Sequence, residues 1–284
     1  MVDAAVIKTL TKRDGRRAAL VILRDWAMIG AAIGVALWAH HPAVTLAALW
    51  VVGAGQYALG DALMHEAAHG NLFATKPLND RMEVFYGLPF LQSMERYRGE
   101  HLRHHGQLGK ETDYLTADYH AFGLDRPHNM VWVWLLRPLL GWPALHYLAK
   151  LRQMPRKSTL RLLALWGVAV AAAALTGTLG LFLLYWVLPL LWCRYAFLYW
   201  SEIADHYNTL CGTRTRVNRV SNFFQHNKGY HAAHHRFPAV PWFNLPAAHG
   251  QLDSVEPGDL SHSPWKTWTQ LRRPPAAAVA VEAG

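Results

Sequence analysis

Four long apolar runs interrupt an otherwise polar and basic chain, at about residues 20–39, 43–64, 160–177 and 179–199. Read as a helix, the second, Ala43 to Met64, would be about 33 Å long, enough to cross the hydrocarbon core of a bilayer. Only His40-His41-Pro42 separates the first run from the second, and Thr176-Gly177-Thr178 the third from the fourth. Connections this short predict two helical hairpins, and with them an all-α, polytopic membrane fold. Two further apolar stretches are not clean spans. Val84–Leu91 is too short, and Met130–Leu148 contains Arg137, Pro138, Gly141 and Pro143. Trp132, Trp134 and Trp142 suit a membrane interface. Both stretches read as interfacial or re-entrant pieces.

Charge sets the orientation. None of the 28 Lys and Arg residues falls at either hairpin tip. The positive-inside rule therefore places the N-terminus, residues 65–159 and the C-terminal region in the cytoplasm. The basic start, with Lys8, Lys12, Arg13, Arg16, Arg17 and Arg24, leads into the first span rather than into a cleaved signal peptide, because a second apolar run follows almost at once. The net charge of +9 finds its explanation in this topology. No helix-turn-helix, RNP or zinc-finger pattern accompanies it, so nucleic acid is not an expected partner. The charged fraction is 17%, below the ~25% of ordinary globular domains, while mean hydropathy is only +0.03. Apolar spans alternating with a large polar part reconcile the two. Residues 1–273 read as one integral-membrane domain, and the Pro/Ala-rich stretch 274–284 as a disordered tail. Cys193 and Cys211 are too few for a disulfide framework.

Histidine is the anomaly, with 17 in 284 residues. Three clusters stand out: His65-Glu66-Ala67-Ala68-His69, His101-Leu102-Arg103-His104-His105 and His231-Ala232-Ala233-His234-His235. All fall on the cytoplasmic side of a topology derived without reference to them. On a helix, residues three and four apart share one face, so HxxH and HxxxH pairs can each point two imidazoles at one metal. The adjacent histidines of an HxxHH box diverge and can serve two metals. Eight imidazoles are too many for one ion and about right for two. Imidazole suits Fe, Zn, Cu and Ni alike, so spacing leaves the metal open.

His206, just past the fourth run, is a ninth candidate ligand. Glu202 lies one helical turn before it and reads as a ligand or as an acceptor for an imidazole N–H. Glu66, Glu111, Asp113 and Asp205 are further candidate imidazole acceptors, with Glu111 the most solvent-facing. Asn227, before the third box, either orients a water or is a loop residue. His40 and His41 sit at a hairpin tip, and His120, His128, His146, His249 and His262 have no box around them. Arg96, Arg98 and Arg103 either enforce topology or meet an anionic head group.

The three boxes resemble those of the membrane fatty acid desaturase and hydroxylase superfamily. The stretch His234 to Pro246, HHRFPAVPWFNLP, is similar to the segment closing the third box in acyl-lipid desaturases and carotenoid ketolases. The resemblance covers roughly residues 20–250. It implies four spanning helices under a cytoplasmic cap that holds two iron ions, with an apolar tunnel for the substrate chain. It implies His65, His69, His101, His104, His105, His206, His231, His234 and His235 as ligands and O2 as co-substrate. It also implies abstraction of hydrogen from an unactivated C–H bond, completed as desaturation, hydroxylation or ketolation of a lipid or carotenoid. Electrons would come from a separate protein of ferredoxin, rubredoxin or cytochrome b5 type. Glu202 stands where some desaturases carry Asn, at a position that bears on the choice between desaturation and hydroxylation. Two rivals remain. HEAAH is also the HExxH of zinc metalloproteases, with Glu66 as base, but later spans offer no convincing third carboxylate ligand. A metal transporter would want ionisable residues along its spans.

Overall fold

The structure is a computed structural model that describes residues 3–273; the expected tail at 274–284 lies outside the described residues. Helix α1 (Ala4–Leu10) precedes α2 (Gly15–Ala39), whose N-cap Asp14 accepts from the amides of Arg16 and Arg17. A tight turn at His40 and His41 leads to α3 (Pro42–Ala68), which opens with proline at its first position, where no amide is needed. Then follow α4 (Lys76–Arg81), α5 (Glu83–Tyr86), α6 (Met94–Gln107), α7 (Tyr114–Ala121) and α8 (Trp142–Ala149). Two more long helices, α9 (Arg156–Leu175) and α10 (Leu179–His206), precede the C-terminal region. This region holds α11 (Arg219–Phe224), α12 (His231–Arg236), α13 (Leu245–His249) and α14 (Pro264–Leu271). The only strands among the described residues are β1 (Thr215–Arg216) and β2 (Leu260–Ser261), paired in parallel with Thr215 opposite Leu260.

Four helices, α2, α3, α9 and α10, are long and apolar enough to cross a membrane. They match the four expected runs, and each outruns its run at one end or both, α9 by starting at Arg156. Helix α2 starts at Gly15, α3 continues to Ala68, and α10 continues to His206. An apolar run marks what lipid can touch; the hydrogen-bonded helix continues wherever its polar side chains find partners. Those extensions carry His65 and His206.

Small residues let the long helices touch. A Cβ on Gly55 would lie 2.6 Å from Ile29 Cγ1 of α2, and one on Gly53 would lie 2.3 Å from Cys193 Cβ of α10. This is the close backbone approach that small residues allow in membrane bundles. Between α3 and α10, Arg194 pairs with Asp61 at 2.9 Å, both buried, and Gln92 donates to the same carboxylate. Each partner sits in a π-helical turn, Ala58–Leu63 and Leu190–Arg194, a widening common near functional sites.

The two stretches expected to be interfacial are broken segments held by indoles. Leu88–Phe90 forms one 3-10 turn packed on Gly60 of α3. Trp132–Leu136 is a π-helical turn, and Gly141 enters α8 at φ +72°. Trp26 donates to Phe85 O, Trp166 to Leu88 O, Trp192 to Leu139 O and Trp200 to Trp134 O, at 2.7–3.1 Å. Each indole donates to a backbone carbonyl of these irregular segments and so ties them to a long helix.

Candidate metal centre

Four helix ends converge. His65 lies in the last turn of α3 and His69 immediately follows it. His101, His104 and His105 occupy the last turns of α6, which begins at the N-cap Ser93. His206 ends α10, and α12 carries His231, His234 and His235. Arg98 holds the end of α3 in place. Its guanidinium donates to Ala68 O at 2.9 Å and Ala67 O at 3.2 Å, and pairs with Asp80 at 2.6 Å. Of the two readings of Arg98 from sequence, neither describes this role, which is to cap the helix that bears the first box.

The nine histidines separate into two sets. The ligand atoms of His65, His69, His101, His105 and His234 all lie within 4.8 Å of one another, as do those of His104, His206 and His235. His231 joins the second set, with Nε2 2.7 Å from His206 Nε2 and 3.2 Å from His235 Nε2. Each set contains a chain of close Nε2 contacts. In the first, His69 to His101 is 2.8 Å, His101 to His105 is 3.1 Å and His105 to His234 is 3.0 Å. In the second, His104 to His206 is 3.1 Å, followed by the two contacts of His231. Hydrogen bonds cannot account for these chains. A ring nitrogen carries either one N–H or one lone pair in its plane, so a middle member serves one neighbour and not two. A shared metal does account for them. Two nitrogens each about 2.1 Å from one ion are about 3.0 Å apart at right angles. Each set of residues could therefore hold a metal ion.

The far side of several rings supports the same reading. His104 Nδ1 lies 2.9 Å from Asp113 Oδ2, and His206 Nδ1 lies 2.9 Å from Gly212 O. An Nδ1–H donated there leaves the Nε2 lone pair pointing into the cluster. Burial, with repulsion from neighbouring charges, favours the neutral form of six of these rings. His69, buried beside Arg98, is pushed down to about 4, and His105, buried against His69 and His104, to about 3. Burial also lowers His101, His231, His234 and His235 well below the ordinary value. Neutral imidazole is the form that binds metal.

The expected acceptors divide. Asp113 reaches an imidazole, while its Oδ1 also caps α7 through the Leu115 amide at 3.1 Å. Glu66 faces His65 Nδ1 at 3.5 Å, but its stronger contact is the Trp242 amide at 2.9 Å. The loop after the third box is thereby fixed to the first. Asp205 turns away from the imidazoles to Lys228 and to Arg216, at 2.5 and 2.7 Å. Asn227, at φ +54°, donates to Trp242 O at 3.0 Å and is not brought to a histidine. Glu111 is exposed and 3.8 Å from His120. Glu202 accepts from the Tyr147 hydroxyl at 2.5 Å. One contact has no signal in the sequence: His226 meets Asp25 of α2 at 2.8 Å, with both buried.

Beside the histidines lies a cavity of about 80 Å³. Rings of both sets line it, along with Glu202, Tyr97, Tyr114 and Tyr147.

Bilayer-length helices whose ends gather nine imidazoles into two clusters define a metal-binding membrane protein. The profile of the family described as fatty acid desaturase matches residues 36–263, and the chain belongs to that family. Among curated proteins it is 26% identical over 281 residues to a dihydrorhizobitoxine desaturase of Bradyrhizobium elkanii, covering 86% of this chain and 77% of that protein. It is 29% identical over 201 residues to a sphingolipid delta(4)-desaturase/C4-monooxygenase of Homo sapiens, covering 64% and 58%. It is 30% identical over 199 residues to a sphingolipid delta(4)-desaturase of Xenopus tropicalis, covering 65% and 57%. The chain thus spans under two thirds of the length of the sphingolipid enzymes. Family membership indicates an oxidoreductase of the lipid desaturase type in a membrane setting.

Proposed function

We propose that this chain is a membrane di-iron oxidase that uses O2 and external electrons to desaturate a fatty acyl or similar lipid chain. The observation that carries the reading is the pair of Nε2 chains, His69–His101–His105–His234 and His104–His206–His231–His235, which two ions explain and hydrogen bonds do not. The first set, with His65, would hold one iron, and the second set the other. Bound there, the iron pair would supply the reduction of O2 and the removal of hydrogen from an unactivated C–H bond. In desaturation the substrate loses two hydrogen atoms, that is two protons and two electrons, from adjacent carbons. The donor adds two electrons and the solvent two protons, and O2 leaves as two waters. In hydroxylation one oxygen atom enters the C–H bond and the other leaves as water. This second reading is favoured by the human relative, whose name joins both activities.

The protein's own part is placement and exclusion. Asp113 and the Gly212 carbonyl hold His104 and His206 in the required tautomer. Arg98 fixes the end of α3, and Glu66 fastens the third-box loop to the first box. The electron donor would be a separate protein of ferredoxin, rubredoxin or cytochrome b5 type. The four long helices would form two hairpins, with both tips on the far face. The termini and histidine boxes would lie in the cytoplasm, as the absence of Lys and Arg from the tips supports.

The test is metal analysis of protein purified in detergent on a tag without histidine, followed by turnover with lipid, O2 and a reductase. About two irons per chain with O2-dependent oxidation of the lipid is the expected result. One zinc per chain, indifferent to His231→Ala with His235→Ala, overturns the reading in favour of an HExxH protease. A single cysteine introduced at Gly177 should react with an impermeant maleimide from outside intact cells; reaction only after lysis overturns the orientation.

A further inference from the structure

Helix α11 turns an apolar face outward. Val220, Phe223 and Phe224 follow the i, i+3, i+4 spacing of one helical face and are 67%, 56% and 42% exposed. The opposite side is built firmly into the protein. Asn222 is buried, donates to Arg216 O at 2.7 Å and Asn218 O at 3.0 Å, and accepts the Gly229 amide at 3.0 Å. A Cβ on Gly229 would lie 2.5 Å from Arg216 O, so this side leaves no room to roll the helix over. The outward face is fixed by packing.

Two anchors set the level of α11 against α2. Arg24 donates to Phe223 O at 3.3 Å and lays its guanidinium 4.5 Å from the centre of the Phe223 ring. The next residue, Asp25, meets His226 at 2.8 Å. Helix α2 is long and apolar enough to cross a membrane, and its outward Leu20 and Leu23 are 64% and 65% exposed. Residues 24 and 25 lie further into the apolar run than Leu20, by about 6–8 Å along the axis. Lipid that covers Leu20 therefore reaches the level of α11. That depth suits a helix lying in the interface, which buries its apolar face about 5–10 Å into the boundary of head groups and acyl chains. Arg16 and Arg17, on the other side of Leu20, are exposed where head groups would lie, and Arg219 is exposed at the start of α11.

We propose that α11 is an interfacial helix that inserts Val220, Phe223 and Phe224 into the acyl layer of the leaflet at the start of α2. Phospholipid, and not a second copy of the chain, covers this face. It continues the outward face of α2, and three side chains on a six-residue helix supply little of the roughly 800 Å² per partner that a stable dimer buries. Residues 225–230 join α11 to α12. The third histidine box thus hangs from an element that rests on lipid as well as on α2. The proposal is independent of the identity of the metal.

The experiment uses the full chain in nanodiscs of phosphatidylcholine and phosphatidylglycerol, with part of the phosphatidylcholine carrying a diazirine near the glycerol end of an acyl chain. After irradiation, mass spectrometry should find lipid attached within residues 219–224 as well as within residues 20–23. A nitroxide on Phe223→Cys, in a chain with Cys211→Ser, gives a second reading. The references are Leu23→Cys for lipid and Glu111→Cys for water, the latter at a side chain 88% exposed. The label at position 223 should collide with O2 as readily as the label at 23. It should meet a water-soluble nickel chelate about tenfold less often than the label at 111, because the acyl layer excludes polar solutes. Should Phe223→Cys fail to fold, Val220→Cys, at the most exposed position of the face, decides. Lipid on residues 20–23 but not on 219–224, or nickel access equal to that at 111, overturns the proposal. A label shielded from both O2 and nickel also overturns it, in favour of cover by a second copy of the chain.

Discussion

Asp113 joins two tasks in one carboxylate: Oδ2 lies 2.9 Å from His104 Nδ1, and Oδ1 accepts the Leu115 amide at 3.1 Å. The start of α7 and the orientation of a ring in the second histidine set are therefore coupled. Replacing Asp113 by Asn keeps an oxygen for the cap but removes the charge behind the imidazole. Affinity for metal at the second set should fall on the order of 10–100-fold, measured by chelator competition. Asp113→Ala should lose as much affinity and also about 1 kcal/mol of stability from the lost cap. Unchanged affinity in both variants would show that His104 needs no partner.

The division of the nine histidines predicts separable losses of metal. His69→Ala with His234→Ala removes two members of the first set, and His231→Ala with His235→Ala two of the second. Each pair should take metal content from about two ions per chain to about one, with the other set still loaded. Loss of both ions in either variant would instead mean that the sets form as one unit. Mass-spectrometric metal analysis of both proteins distinguishes the two results.

Much of this centre is legible in the sequence, because HxxH and HxxHH spacing is local and helical geometry turns spacing into direction. Asp113 was within reach of the same reasoning, sitting between the second box and the next helix. The partition into two sets was not legible, since it depends on which faces of α3, α6, α10 and α12 meet. Asp205 illustrates the limit. Next to His206 in sequence, it points to the other side of α10, where Lys228 and Arg216 take it. Asp25 and His226 are 201 residues apart, and no local pattern joins them. The four apolar runs located the long helices but not their ends, because the ends are polar and held by tertiary contacts such as Arg98 on Ala67 and Ala68.

Acid should destabilise the metal-free protein. His69 and His105 ordinarily titrate near 6.5 but are lowered to about 4 and about 3 in the fold. Between those values and 6.5 the unfolded chain binds more protons than the folded one, so stability rises with pH across that window. The contribution is whole above about 6.5 and is lost as pH falls toward 4 and then 3. The Tm of metal-free protein in detergent should drop steadily from pH 7 to pH 5, and metal affinity should fall over the same range as protons compete for the rings. A flat Tm across this range would mean that the rings are solvated without metal.

Gly53 tests the contact between α3 and α10. A Cβ there would sit 2.3 Å from Cys193 Cβ and 3.0 Å from the Arg194 amide nitrogen, so backbone and not merely a side-chain tip is in the way. Gly53→Ala must push α10 outward, with a cost of about 1–3 kcal/mol. The same shift would stretch the buried pair of Arg194 and Asp61 beyond its 2.9 Å, and it would move His206 at the far end of α10. The variant should unfold at lower temperature than the parent and load less metal at the second set than at the first. Paired with Cys193→Gly, which removes the opposing Cβ, it should recover part of both losses. Recovery of neither would place the strain on the Arg194 backbone instead.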